Sequence, residues 1–142
     1  MSIKRPDITI VRKLKASPEK VYAAVTRPDQ ILQWWGPDAG TTVSAEIDLR
    51  TGGQYSIVFR LLDGSEHNPH GVYREVVPNE KLVFTWEWPD WVSLVTILLR
   101  PIDIGTELTL MHENLPTEEI ESHHASWTGW VAELQTYIED TK

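Results

Sequence analysis

Three histidines carry the side chains best suited to moving a proton near neutral pH: His112, His123 and His124. His112 keeps step with Leu108 and Leu110 on the apolar side of a strand-like segment. His123 and His124 lie on a later helical segment expected to face it, so two imidazoles are placed to converge and exchange protons. The more common outcome of such placements is a hydrogen-bonded structural histidine, with His124 turned to solvent. Metal chemistry fits poorly, because His123 and His124 are adjacent instead of three or four apart and no Glu-x-x-His accompanies them. No metal and no cofactor is therefore expected. The "HNPH" run, residues 67 to 70, reads as an exposed loop at a strand start. Nucleophilic catalysis lacks its constellation as well: there is no Gly-x-Ser-x-Gly elbow, cysteine is absent, and Ser56, Ser93 and Ser126 have no recognisable acid–base pair nearby. Gly52-Gly53 belongs to a hairpin turn, with no phosphate-binding glycine pattern around it.

Aromatic residues form the second chemical signal. Tyr55, Phe59, Tyr73, Phe84, Trp86, Trp88 and Trp127 all fall on faces expected to be buried. Each ring could simply fill a core, contributing roughly 1.5 to 3 kcal/mol of transfer free energy. Seven tryptophans in 142 residues are another matter, since each buried indole N–H needs an acceptor; the set is easier to place along a wet or occupied pocket. Trp34 and Trp35 stand side by side before Gly36-Pro37. About 100° separates neighbours on a helix, so one ring is expected in the core and the other at its rim. A plain packing anchor explains the pair equally well.

The elements that must position these residues follow from period and punctuation. Residues 8 to 14 alternate as a strand. "SPEKVYAAVT" begins a helix with Ser17 as N-cap, Pro18 in the first turn and Glu19 at the positive end. A second short helix, "RPDQILQWW", ends at Gly36-Pro37. From residue 43 the period becomes two, with Val43, Ala45, Ile47 and Leu49 on one face. Five further strands follow, joined by "RTGGQ", "LDGSE", Pro78-Asn79 and other short turns. Residues 117 to 139 return to a helical period: Thr117 is expected to cap them, and Ile120, His123 or His124, Trp127, Trp130 or Val131, Leu134 and Ile138 form the stripe. The order is strand, two short helices, six strands and one long helix. An α+β fold with one antiparallel sheet covered by the last helix is the expectation. The length suits one domain spanning residues 1 to 142. Thirteen Lys and Arg against 21 Asp and Glu leave a net charge of -8, which disfavours nucleic acid and anionic membranes. No secretory leader or membrane span is recognisable, so the cytoplasm is the expected compartment.

Those segments, in that order, resemble the helix-grip superfamily known as START-like or SRPBCC, and within it the AHSA-like group named after the activator of the heat-shock-protein-90 ATPase. The resemblance rests on "ASPEKVYAAVTRPDQILQWWGP" (16 to 37), "DLRTGGQY" (48 to 55), "GVYREVVPNEKLVFTW" (71 to 86), "GTELTLMHENLP" (105 to 116) and "HHASWTGWVAELQTYI" (123 to 138). The group's last helix commonly reads His-x-x-Gly-Trp; His123 and Trp127 match, while Ser126 replaces the glycine. The resemblance implies a curved sheet gripping the long helix, with a cavity between them that in many relatives holds an apolar small molecule. A dry void of about 300 Å³ would cost ~7 kcal/mol, comparable to a domain's net stability, so such a cavity would be filled.

On this footing the leading expectation is a binding module for a small apolar or aromatic molecule. Trp34, Trp35, Tyr55, Phe59, Tyr73, Phe84, Trp86, Trp88, His112, His123 and Trp127 would line its site, with Tyr55, Tyr73, His112 and His123 orienting the guest. An enzyme alternative resembles the polyketide-processing cyclases, hydratases and hydrolases, with His112 and His123 as proton shuttles. A third is a stress-response role through chaperone interaction, disfavoured because the additional domain of full chaperone activators is absent from the sequence. Homodimer formation is left open.

Overall fold

The computed structural model describes residues 6–35 and 40–140, so the expected Gly36-Pro37 stop lies outside the described residues. The elements run β1 (Ile8–Leu14), α1 (Pro18–Thr26), α2 (Pro28–Trp34), β2 (Gly40–Ile47), β3 (Gln54–Leu61), β4 (Glu66–His67), β5 (His70–Val77), β6 (Lys81–Trp88), β7 (Trp91–Ile102), β8 (Gly105–Glu113) and α3 (Ile120–Asp140). All strand pairs are antiparallel, and the sheet order is β1-β8-β7-β6-β5-β3-β2, with the short β4 paired to β3. This is the α+β helix-grip fold, a curved sheet with α3 across its concave face.

Local chemistry explains most boundaries. Ser17 Oγ accepts from Lys20 N at 3.2 Å and caps α1. Asn79 takes a positive φ of 66° in the β5–β6 turn. Along β7 and β8 alternate residues are buried, so Val95, Ile97, Leu108 and Leu110 meet Val131, Leu134 and Ile138 of α3 in one core.

Four sequence expectations need correction. A bulge between Thr42 and Ser44 leaves Val43 out of register and exposed, and Leu49 lies past the end of β2 and is also exposed. β4, Glu66–His67, adds a strand that reaches only the first residue of the expected 67–70 loop; it is two residues long, too short for any periodic signal, and His67 and His70 are exposed as expected. Thr117 begins a single 3-10 turn, Thr117–Glu119, before α3, and provides no side-chain cap. Trp34 and Trp35 are both buried, at 7% and 9% exposure, because Trp35 already has extended backbone and the helical 100° step no longer applies between them.

Candidate functional site

A half-open hollow of about 640 Å³ lies between the first half of α3 and the ends of α2, β3, β4 and β6. Its wall contains Trp34 and Trp35 from α2, Phe59 and Leu61 from β3, His67 and Pro69 around β4, Trp86 and Trp88 from β6, and Trp127 and Trp130 from α3. Six of the seven tryptophans are thus in one wall. The seventh, Trp91, stands behind it with its ring 6.0 Å from Trp88 and 5.7 Å from His123.

Two unlike faces of α3 meet at the hollow, one buried and one exposed. Trp127, Trp130, Val131, Leu134 and Ile138 fill the core, whereas the adjoining face presents Ala125, Ser126, Gly129 and Ala132 at spacings of one, three and three. Small side chains there leave room. At Gly129 an added Cβ would meet nothing within 4 Å. Ser126, at the position where the resemblance favours glycine, belongs to this face and keeps it shallow.

Aromatic rings make the buried side of the hollow continuous. Trp130 lies 5.2 Å from Trp34, 5.3 Å from Trp35 and 5.3 Å from Trp127, and Trp127 lies 5.1 Å from Trp86. Trp34 Nε1 donates to Ala24 O at 2.9 Å, tying α2 to α1; Thr42 Oγ1 donates to Trp35 O. The tryptophan pair therefore serves as packing anchor and wall together.

His112 is fully buried but does not line the hollow. Trp127 Nε1 donates to His112 Nδ1 at 2.9 Å, and an indole nitrogen can only donate, so Nδ1 carries no proton. The proton is on Nε2, 2.6 Å from Ser93 Oγ, and the serine hydroxyl in turn donates to Trp86 O at 3.0 Å. Burial, helped by the charge of neighbouring His123, pushes His112 down to about 3, so it stays neutral. Both ring nitrogens are committed. His123 does line the hollow; its Nδ1 donates to Glu119 O at 2.9 Å, and its ring meets that of His112 edge-on at 5.5 Å.

Of the residues expected at the site, Trp34, Trp35, Phe59, Trp86, Trp88, His123 and Trp127 come together around the hollow. Tyr55, Tyr73 and Phe84 do not. They surround a separate gap of about 20 Å³ deeper under the sheet, beyond Trp35 and Trp130. The curvature of β3, β5 and β6 turns their inward faces to different depths, which strand alternation cannot register. Burial raises the phenols of Tyr55 and Tyr73, and Tyr55 donates to Thr85 O at 2.5 Å, a role in holding strands. Sequence reasoning missed Trp130 as a wall residue, although its spacing of three from Trp127 was visible. It also missed the small face of α3, which repeated at helical spacing, Leu61, which keeps step with Phe59 along β3, and His67 and Pro69, for which the short β4 gave no signal.

Among the described residues no three His, Asp or Glu side chains gather closely enough to hold a metal ion, and no helix is long and apolar enough to cross a membrane.

Residues 15–139 match the family model described as Activator of Hsp90 ATPase homolog 1-like protein. No curated protein matches the chain. Among solved structures, one from Chromobacterium violaceum is 29% identical with a TM-score of 0.81, over 91% of this chain and 94% of that one. An AHSA1-like protein from Aeromonas hydrophila, 21% identical, reaches a TM-score of 0.85 over 94% and 92% of the two chains. A protein from Nitrosomonas europaea, also 21% identical, reaches 0.83 over 95% of each. The latter two similarities speak for the fold.

Proposed function

The chain belongs to the Activator of Hsp90 ATPase homolog 1-like family, and on that premise we propose that it is a binding module for a small apolar or aromatic molecule held between the sheet and α3. The family's fold suits ligand binding or an interaction module. The observation that favours ligand binding here is the hollow itself. Its volume of about 640 Å³ falls within the range of roughly 300 to 1,000 Å³ typical of small-molecule sites, and six indoles and Phe59 border it. Because the hollow is half-open, solvent fills it when no guest does, and an apolar guest that displaces that water gains by burying the indole faces. In this reading Trp34, Trp35, Phe59, Trp86, Trp88, Trp127 and Trp130 stack on the guest, and His123 and Ser126 meet its polar atoms. Tyr55, Tyr73, Phe84 and His112 hold the wall from behind. The geometry does not favour an acid–base pair, because His112 has no nitrogen left for a substrate.

The test is a titration with the neutral fluorophore N-phenyl-1-naphthylamine. Saturable binding with one probe per chain is expected, and Gly129→Phe, which adds a ring at a lining position where a Cβ meets nothing within 4 Å, should abolish it while the protein stays folded. Binding that never saturates, or that a folded Gly129→Phe protein retains in full, overturns the reading.

A further inference from the structure

Within the same cluster of indoles two kinds of N–H occur. Trp34 and Trp127 donate to Ala24 O and His112 Nδ1, each at 2.9 Å. Trp86, Trp88 and Trp130 are different: their Nε1 atoms are buried and meet no acceptor among the described residues. All three side chains line the hollow, and Trp86 and Trp130 are each only 8% exposed. An indole N–H has no second function as an acceptor, and a buried donor without a partner is among the rarer and costlier features of a folded protein. One such group could be a packing compromise. Three in the wall of one cavity point to a partner that arrives with a guest.

Charge supplies an independent observation. The described lining includes Glu119 and Glu133 and contains no Lys or Arg. A carboxylate or phosphate carried into this half-open hollow would lose part of its water, find only the imidazoles of His67 and His123 as basic groups, and face two acidic side chains in a chain of net charge -8.

From these two observations we propose that the cavity selects a neutral, largely apolar molecule bearing hydrogen-bond acceptor oxygens, as an aryl ketone does, and rejects anionic amphiphiles. The proposal rests on the binding reading above and narrows it. The indole nitrogens are covered before binding, so capture of an acceptor requires Trp86 or Trp130 to reorient about its side-chain torsions.

Three naphthalenes of like size separate the possibilities when titrated at pH 8 while the tryptophan indole N–H resonances are followed by NMR: 2-ethylnaphthalene, 2-acetylnaphthalene and 2-naphthoate. The ketone should bind about tenfold tighter than the hydrocarbon, the yield of one good hydrogen bond. Only the ketone should move the Trp86 or Trp130 N–H signal downfield, and the carboxylate should bind at least about tenfold more weakly than the ketone. Trp130→Phe or Trp86→Phe, confirmed folded from the remaining resonances, should reduce the ketone's advantage. Equal affinities for ketone and hydrocarbon with matching indole shifts would overturn the acceptor proposal and leave the binding module standing. Naphthoate binding as tightly as the ketone would overturn the charge preference. Saturable shifts from none of the three would remove the binding reading itself.

Discussion

At the residue scale, His112 illustrates how a side chain with the right chemistry becomes structural. Its two nitrogens link Trp127 on α3 to Ser93 on β7, and Ser93 passes the chain of bonds to Trp86 on β6. Protonation would place a second donor against the Trp127 N–H, which cannot accept. Burial first, and the neighbouring His123 second, hold His112 well below the ordinary imidazole value. Its contribution to stability is fully present above the unfolded value near 6.5 and is lost as the pH falls through about 3. Urea denaturation between pH 6.5 and 4.5 should show stability falling with a His112-dependent slope approaching ~1.4 kcal/mol per pH unit. His112→Gln, which keeps a donor and an acceptor but does not titrate there, should be less stable at pH 7 and should flatten that slope. An unchanged slope in the variant would remove His112 as the source.

At the element scale, two glycines show opposite demands of the same fold. Gly71 sits where β5 passes Thr85 of β6: a Cβ would lie 2.1 Å from Thr85 O, and Thr85 Oγ1 accepts from Val72 N at 2.8 Å. Gly71→Ala should therefore cost about 1 to 3 kcal/mol through backbone displacement. Gly129, on the open face of α3, meets nothing, so Gly129→Ala should stabilise the helix by about 0.5 to 1 kcal/mol. Thermal melts of the two variants should shift in opposite directions; a shared sign would mean that α3 is positioned differently from this description.

At the scale of the whole molecule, the binding proposed above would couple stability to occupancy. A guest that binds only the folded chain adds about 2.7 kcal/mol when present at ~100 times its dissociation constant. N-phenyl-1-naphthylamine should raise the melting temperature in a concentration-dependent way in the wild type and leave that of Gly129→Phe unchanged. Because Trp34, Trp35 and Trp130 bridge α1, α2 and α3 around the cavity, a guest stacked on them would brace three helices together.

The order of elements, the sheet and the buried stripe of α3 were written in the sequence, because periods of two and 3.6 and the Ser17 and Pro78-Asn79 signals are local properties, while the hollow that seven of the eleven expected site residues border was expected only from the family resemblance. Depth under the sheet was not written there. Tyr55, Tyr73 and Phe84 alternate correctly yet surround a different gap, and His112 shares a face with core residues yet has neither nitrogen free. Which aromatic borders the hollow, which indole finds an acceptor and which is left without one depend on sheet curvature and on where the small residues of α3 fall against it. Those are relations between segments far apart in the chain, and no window of sequence contains both sides.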